Sequence, residues 1–154
     1  MQAARQELPI LAMEQEIMET LAEHDVALLC GETGCGKTTQ VPQFLLEAGF
    51  GCPDFPERSG LVGVCQPRRV AAVSTAKRVA EEVGCAVGGR VGHQVRYDRR
   101  VSHETAVKFM TDGILMRELQ ADFLLQRCAH VLARGSLPLT QGHTFAAVEG
   151  PNAQ

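Results

Sequence analysis

No stretch of this sequence approaches the roughly 20 consecutive apolar residues that a helix needs to cross a membrane. Nor do the first thirty residues combine a basic start, an apolar run and a small-residue cleavage site, so no secretory leader is expected. The six cysteines, at positions 30, 35, 52, 65, 85 and 128, include no C-x-x-C pair and have no histidine at ligand spacing. That sets aside a zinc site and a redox dithiol, and it reads as the free thiols of a reducing, intracellular compartment. An excess of basic charge is missing too: 15 Lys and Arg stand against 18 Asp and Glu, for a net charge of -3. This excludes a polybasic nucleic-acid or membrane-surface protein taken as a whole, while leaving room for a local basic groove.

What is present is the material of about one domain: 154 residues, 45% hydrophobic and 21% charged. Residues 8–24 place Ile10 or Leu11, Ile17 or Met18, and Leu21 at helical spacing after Pro9, which predicts an amphipathic helix. The unbroken apolar run from Val26 to Cys30, closed by Gly31, has the pattern of a buried parallel strand. Val41, Phe44, Leu45 and Ala48 then mark one face of a helix over 37–48 that ends at Gly49. After a Gly/Pro-rich loop, 61–67 reads as a second strand stopped by Pro67, followed by a helix with Val70, Val73, Ala76, Ala80 and Val83 on one face. Further strands are expected over 91–97 and 106–110, and a helix over 114–125 packing on Leu115, Leu119 and Phe123. Glu81 and Glu82 fall on a solvent face, and Lys108 interrupts the strand that contains it. Strand and helix alternate, which calls for an α/β sandwich with a mainly parallel sheet. From about residue 132 onward periodicity is lost, and 132–154 is expected to be a disordered tail.

The segment 30–40, "CGETGCGKTTQ", carries Gly31, Gly34, Gly36, Lys37 and Thr38 in the spacing G-x-x-x-x-G-K-[ST]. Glycines in such a loop let successive backbone amides converge on phosphates, at the positive end of the following helix. Lys37 is expected to reach the β- and γ-phosphates, and the Thr38 hydroxyl to complete a Mg²⁺ shell. With Gly at about 7% of residues, a chance match in a chain this long is on the order of one per cent. Cys35, among those amides, reads as a small filler, with an oxidation-sensitive thiol as the sharper alternative. Hydrolysis also needs an acidic residue at a strand end to hold Mg²⁺, and the pattern offers only Asp112, in a poor context.

Several stretches together resemble one family, the DEAH-box ATP-dependent RNA helicases, and more loosely the subgroup that works in ribosome assembly. "GETGCGKTTQVPQFLLEAG" matches that family's motif I, with Cys35 where Ser is usual. "CQPRRVAA" (65–72) is similar to motif Ia and "TDGILMRE" (111–118) to motif Ib. "VGHQVRYDRRVSHETAVKFM" and "RQELPILAMEQEIMETL" resemble its connecting strands and lead-in segment, so the likeness covers about residues 5–131. It implies an incomplete RecA-like domain of the P-loop NTPase class, a three-layer α/β sandwich over 25–131 preceded by a lead-in helix over 1–24. It further implies ATP and Mg²⁺ as cofactors, with Lys37 and Thr38 as catalytic groups and Thr38 on the metal. Gly31, Glu32, Thr33, Gly34, Cys35, Gly36 and Thr39 complete the nucleotide site. Arg68, Arg69 and Thr111 would lie along the RNA backbone, in keeping with arginine's fit to phosphate, and Asp112 would support motif Ib.

Where the family has an apolar strand ending in Asp-Glu-Ala-His, this chain reads "CAHVLARGSLPLTQGHTF". The expectation is therefore a piece of a helicase, truncated before that motif and without the second RecA-like domain, that binds nucleotide and RNA without efficient hydrolysis. The alternatives are a regulatory or artefactual truncated isoform acting through a partner of the full-length enzyme and, last, a small-molecule P-loop kinase, for which no lid or acceptor-site signature is found. Pre-rRNA as the RNA, protein partners of the helicase, no membrane, and a nuclear or nucleolar location complete what the resemblance implies.

Overall fold

The apolar run that starts at Val26 becomes the strand from which the chain is built, and the computed structural model describes residues 8–24, 26–32, 34–52, 58, 60–122, 128–135 and 143–149. A 3-10 turn, Pro9–Met13, leads into α1 (Glu14–Glu23) and then β1 (Val26–Glu32). There follow α2 (Lys37–Glu47), β2 (Leu61–Gln66), α3 (Arg69–Val83), β3 (Val91–Val95), β4 (Asp98–Arg100), β5 (Val107–Thr111), α4 (Asp112–Ala121), β6 (Cys128–Gly135) and β7 (His143–Glu149). The strands form one sheet in the order β1-β7-β6-β2-β5-β3-β4. Pairing is parallel from β6 through β2 and β5 to β3. It is antiparallel at β1–β7, β7–β6 and β3–β4. Two antiparallel steps through β7 return β1 to the direction of β6, so β1, β6, β2, β5 and β3 all run the same way.

Because strand side chains alternate between faces, Val62 and Val64 of β2 and Val107 and Phe109 of β5 point to one side, and Cys65 and Met110 to the other. The first side is covered by α1, α2 and α3 through Ile17, Val41, Phe44, Leu45, Ala72, Ala76 and Val79, all buried. Each such large side chain removed from water contributes about 1.5–3 kcal/mol. The second side is covered by α4 through Ile114, against Cys65 and Met110. Helices on both faces of a mainly parallel sheet make this an α/β sandwich of the partial RecA-like, P-loop type.

Several expectations need correction. The run Val26–Cys30 forms a strand, but as the sheet's edge, paired antiparallel with β7 and with Leu28 and Cys30 exposed, so it is not a buried parallel strand. The buried stripe of α3 is Ala72, Ala76, Val79 and Ala80, whereas Val70, in the first turn at the sheet's edge, is 78% exposed. Lys108 does not interrupt its strand: it is buried within β5 because Glu118 of α4 supplies the counter-charge, with Nζ donating to Oε1 at 2.6 Å. The last helix ends at Ala121, so Phe123 lies outside the described residues. Finally, residues 132–135 complete β6 and 143–149 form β7, where a disordered tail was expected. A seven-residue strand is too short to leave a periodic signal among glycines and threonines, yet β7 satisfies one edge each of β1 and β6, whose amides and carbonyls would otherwise be unpaired.

His130 of β6 is buried against Phe50, ring centroids 4.5 Å apart and nearly perpendicular, and neither ring nitrogen has a hydrogen-bond partner among the described residues. Burial pushes its pKa below the usual 6.5. Below pH 6.5 the unfolded chain binds a proton that the folded chain refuses, so stability is complete above that pH and falls as pH drops through it. Urea unfolding between pH 7.5 and 5.5 should show a loss approaching about 1.4 kcal/mol per pH unit at its steepest. His130→Leu should flatten that slope; the carboxylates Glu82 and Asp98, both shifted downward, act only below 4.5 and 3.8.

Candidate functional site

The loop after β1 is shaped by two glycines at positive φ, Gly34 at 94° and Gly36 at 102°, a region that side chains rarely tolerate. A Cβ at Gly36 would also stand 3.1 Å from Ile10 Cγ2 and 3.2 Å from Leu8 Cδ1. The lead-in segment therefore packs directly behind the loop, a contact with no signal in the sequence. At Gly31 a Cβ would sit 3.2 Å from Lys37 Nζ and 3.3 Å from Cys35 Sγ, so the lysine crosses a space that only glycine leaves open.

Lys37 is the first residue of α2 and is 7% exposed. Its ammonium donates to Gly31 O at 2.5 Å and Glu32 O at 2.8 Å, and lies 3.2 Å from Cys35 Sγ. A buried cation held by two carbonyls and a thiol has neutral dipoles where a phosphate would offer stronger, charge-assisted bonds. Gly36 is the N-cap of α2, its carbonyl accepting from Gln40 N at 2.8 Å and Thr39 N at 3.1 Å. The amides of Lys37 and Thr38 thus belong to the helix's first turn, which has no carbonyl one turn back to receive them. The Thr39 hydroxyl donates back to Gly36 O at 3.1 Å and so holds the turn itself. These residues fit a polyphosphate. Thr38, in the first turn of α2, has a hydroxyl that would suit a Mg²⁺ ion held with the phosphates, and among the described residues no group of three His, Cys, Asp or Glu could hold a metal. Thr33 lies outside the described residues, and Glu32 contributes its carbonyl to Lys37.

Since β1, β2, β5 and β3 run in one direction, the loop after β1 shares the sheet's carboxyl edge with the segments after the other three. Arg68, the exposed N-cap of α3, and the exposed Arg69 follow β2; Thr111, half-buried, caps α4 at the end of β5. Asp112 begins α4 and accepts from Cys65 Sγ at 2.9 Å, tying β2 to the start of that helix. Burial and this carboxylate push the Cys65 thiol up to about 12. Three strand spacings separate β1 from β2, about 14 Å across the edge. Sequence reasoning missed the turn between β3 and β4, where Arg96 Cζ lies 4.8 Å from the ring centroid of Tyr97, itself 86% exposed with φ 68°. The basic cluster in "RYDRR" was the available signal.

Glu82 is not on a solvent face. Its side chain is 4% exposed and receives Gln40, Gln43 and Arg78. Burial raises its pKa, but the three hydrogen bonds outweigh that and hold it below the usual carboxylate value.

Loop strain is directly measurable. Gly36→Ala should destabilise the fold by about 1–3 kcal/mol in urea melts, through positive φ and the crowding against Leu8 and Ile10. By contrast Gly113→Ala, inside α4 with open space around it, should stabilise by about 0.5–1 kcal/mol.

No family model matches the chain. It is 58% identical over 128 residues to "ATP-dependent RNA helicase DEAH13" of Arabidopsis thaliana, covering 83% of this chain and 10% of that protein. It is 54% identical over 131 residues to "Probable ATP-dependent RNA helicase DHR1" of Saccharomyces cerevisiae, covering 85% and 10%. To "Probable ATP-dependent RNA helicase DHX37" of Homo sapiens it is 54% identical over 127 residues, covering 82% and 10%. The chain therefore spans about a tenth of the length of the curated relatives it matches.

Proposed function

From the premise that the chain belongs, through those aligned residues, to the DEAH-box ATP-dependent RNA helicases, we propose that it is a nucleotide- and RNA-binding piece of such an enzyme that does not hydrolyse efficiently by itself. The amides from Gly34 to Thr38 and Lys37 would hold the phosphates of ATP, and Thr38 would offer its hydroxyl to a Mg²⁺ ion, which would supply charge stabilisation there. Arg68, Arg69 and Thr111 take an RNA backbone along the same edge, with Arg96 and Tyr97 extending that surface. The single observation that carries the reading is the inward-turned Lys37 ammonium, bonded to neutral groups inside a loop of positive-φ glycines.

Weak hydrolysis has a local reason. The strand that follows α4 is β6, parallel to β2, and it lies in the stretch that stands where the family has an apolar strand ending in Asp-Glu-Ala-His. Where no carboxylate at that strand end fixes Mg²⁺, transition-state charge on the γ-phosphate would be poorly stabilised. Pre-rRNA as the RNA, a part in ribosome assembly and a nuclear or nucleolar location rest on likeness to the subgroup. Among the described residues no helix is long and apolar enough to cross a membrane.

A second reading, a non-catalytic chain acting through a partner protein, is favoured by β1 being an edge strand with Leu28 59% exposed. Titration calorimetry with ATP, in Mg²⁺ and in EDTA, separates these ideas. Nucleotide should bind in both conditions with Kd values within about threefold, and Lys37→Ala should weaken binding at least about 100-fold, the loss of a charge-assisted contact. Equal binding by wild type and Lys37→Ala would sink the proposal; no binding by either would leave the partner reading standing.

A further inference from the structure

Burying a carboxylate is costly unless its lone pairs are answered, and an apolar side chain would fill a helix–helix contact more cheaply. Glu82 is nonetheless placed where α3 meets α2, with its two oxygens divided between partners. Oε2 accepts from Gln40 Nε2 at 2.9 Å and Gln43 Nε2 at 2.7 Å, and Oε1 accepts from Arg78 Nε at 2.5 Å. Gln43 commits its second amide proton to Thr39 O at 2.8 Å, and its own Oε1 is buried with no hydrogen-bond partner among the described residues. The carboxylate thus orients that amide at the expense of its acceptor, which an arrangement selected for stability alone would avoid.

The bonds continue to the phosphate loop. Gln40 Nε2 also donates to Thr39 Oγ1 at 3.1 Å, and Thr39 Oγ1 to Gly36 O at 3.1 Å, the carbonyl of the glycine that caps α2. In the other direction α3 runs unbroken from Val83 back to Arg69, with Arg68 as its N-cap on the carboxyl edge. An unbroken helix of this length, about 22 Å, transmits the placement of one end to the other.

We propose that Glu82 is a positioning residue that locks the phosphate loop to α3, so that nucleotide in the loop and an RNA phosphate at Arg68 and Arg69 are held by one rigid unit and each strengthens the other. This rests on the nucleotide and RNA binding proposed above. Through that shared unit, occupancy of either site favours the arrangement that the other site needs.

Fluorescence anisotropy with a fluorescent ATP analogue, with and without a single-stranded oligouridylate, tests it on the unaltered chain, Glu82→Gln and Glu82→Ala. Saturating RNA should tighten nucleotide binding by about fivefold or more in the unaltered chain. Glu82→Gln keeps the shape but turns an NH₂ toward a donor; its Tm should stay within about 3 °C. Its nucleotide affinity should fall about threefold, and the RNA effect should drop to about one, as expected when a shared network is broken. Glu82→Ala should lose about tenfold; if it does not fold, Glu82→Gln decides alone. A Glu82→Gln chain that keeps both the affinity and the RNA effect overturns the inference, as does an unaltered chain whose nucleotide affinity RNA leaves unchanged. A Glu82 with only a structural part would lower Tm and spare the RNA effect, which also overturns it. No nucleotide binding by the unaltered chain overturns this inference and the proposed function together, whereas intact nucleotide binding with an unaltered Glu82→Gln overturns this one alone.

Discussion

An ammonium group turned into the protein and answered only by neutral dipoles is the constraint around which the rest is arranged. Lys37 is 7% exposed, and among the described residues its ammonium meets two carbonyls and a thiol. Removing a cation from water costs several kcal/mol even after relaxation, and carbonyl dipoles recover only part of it. Phosphate oxygens recover more, because bonds between charged partners are roughly twice as strong as neutral ones. The surroundings of Lys37 follow from keeping it there. Gly31 leaves the space, Gly34 and Gly36 bend the chain where a side chain would be strained, and Leu8 and Ile10 close the back of the turn.

A parallel sheet then decides what else can stand near that cation. Strands that run together place their following loops on one edge, which is where α/β sheets take ligands. The loop after β1, the Arg68–Arg69 corner after β2, the Thr111 cap after β5 and the Arg96–Tyr97 turn after β3 therefore stand along one edge of the sheet although they span much of the chain. β6 and β7 lie between the phosphate loop and the first arginines, so the two candidate regions stand along one edge without overlapping. The α2–α3 contact beneath them is polar at its centre, through Gln40, Gln43 and Glu82, where an apolar contact would be the ordinary solution.

Strong local signals carried most of this architecture into the sequence. The stripe Val41–Phe44–Leu45 and the strands containing Val62 and Phe109 are legible because burial and period coincide there, whereas the run Val26–Cys30 is legible as a strand although it lies at the sheet's edge. Elsewhere the deciding partner is distant in sequence. Lys108 looks like a strand breaker until Glu118 is placed above it, and Glu82 looks solvated until Gln40 and Gln43, some forty residues earlier, are brought against it. β4 is three residues long and β7 is embedded among glycines and threonines, so neither has room for a readable period. In the candidate site, the loop and the arginines were legible from spacing and from the Pro-Arg-Arg corner. The exposed Tyr97 beside Arg96 was not, because nothing in a pattern tells an exposed aromatic from a buried one.

The central claim is that the amides from Gly34 to Thr38, with Lys37, grip a triphosphate. Amide chemical shifts from proton–nitrogen correlation spectra, followed as ATP is added, address it residue by residue. The account predicts that the largest changes fall on residues 31–40, with Gly36, Lys37 and Thr38 foremost and the amides of β4 barely moved. Changes that spare the loop and gather elsewhere on the sheet, or their absence at saturating ATP, would contradict it.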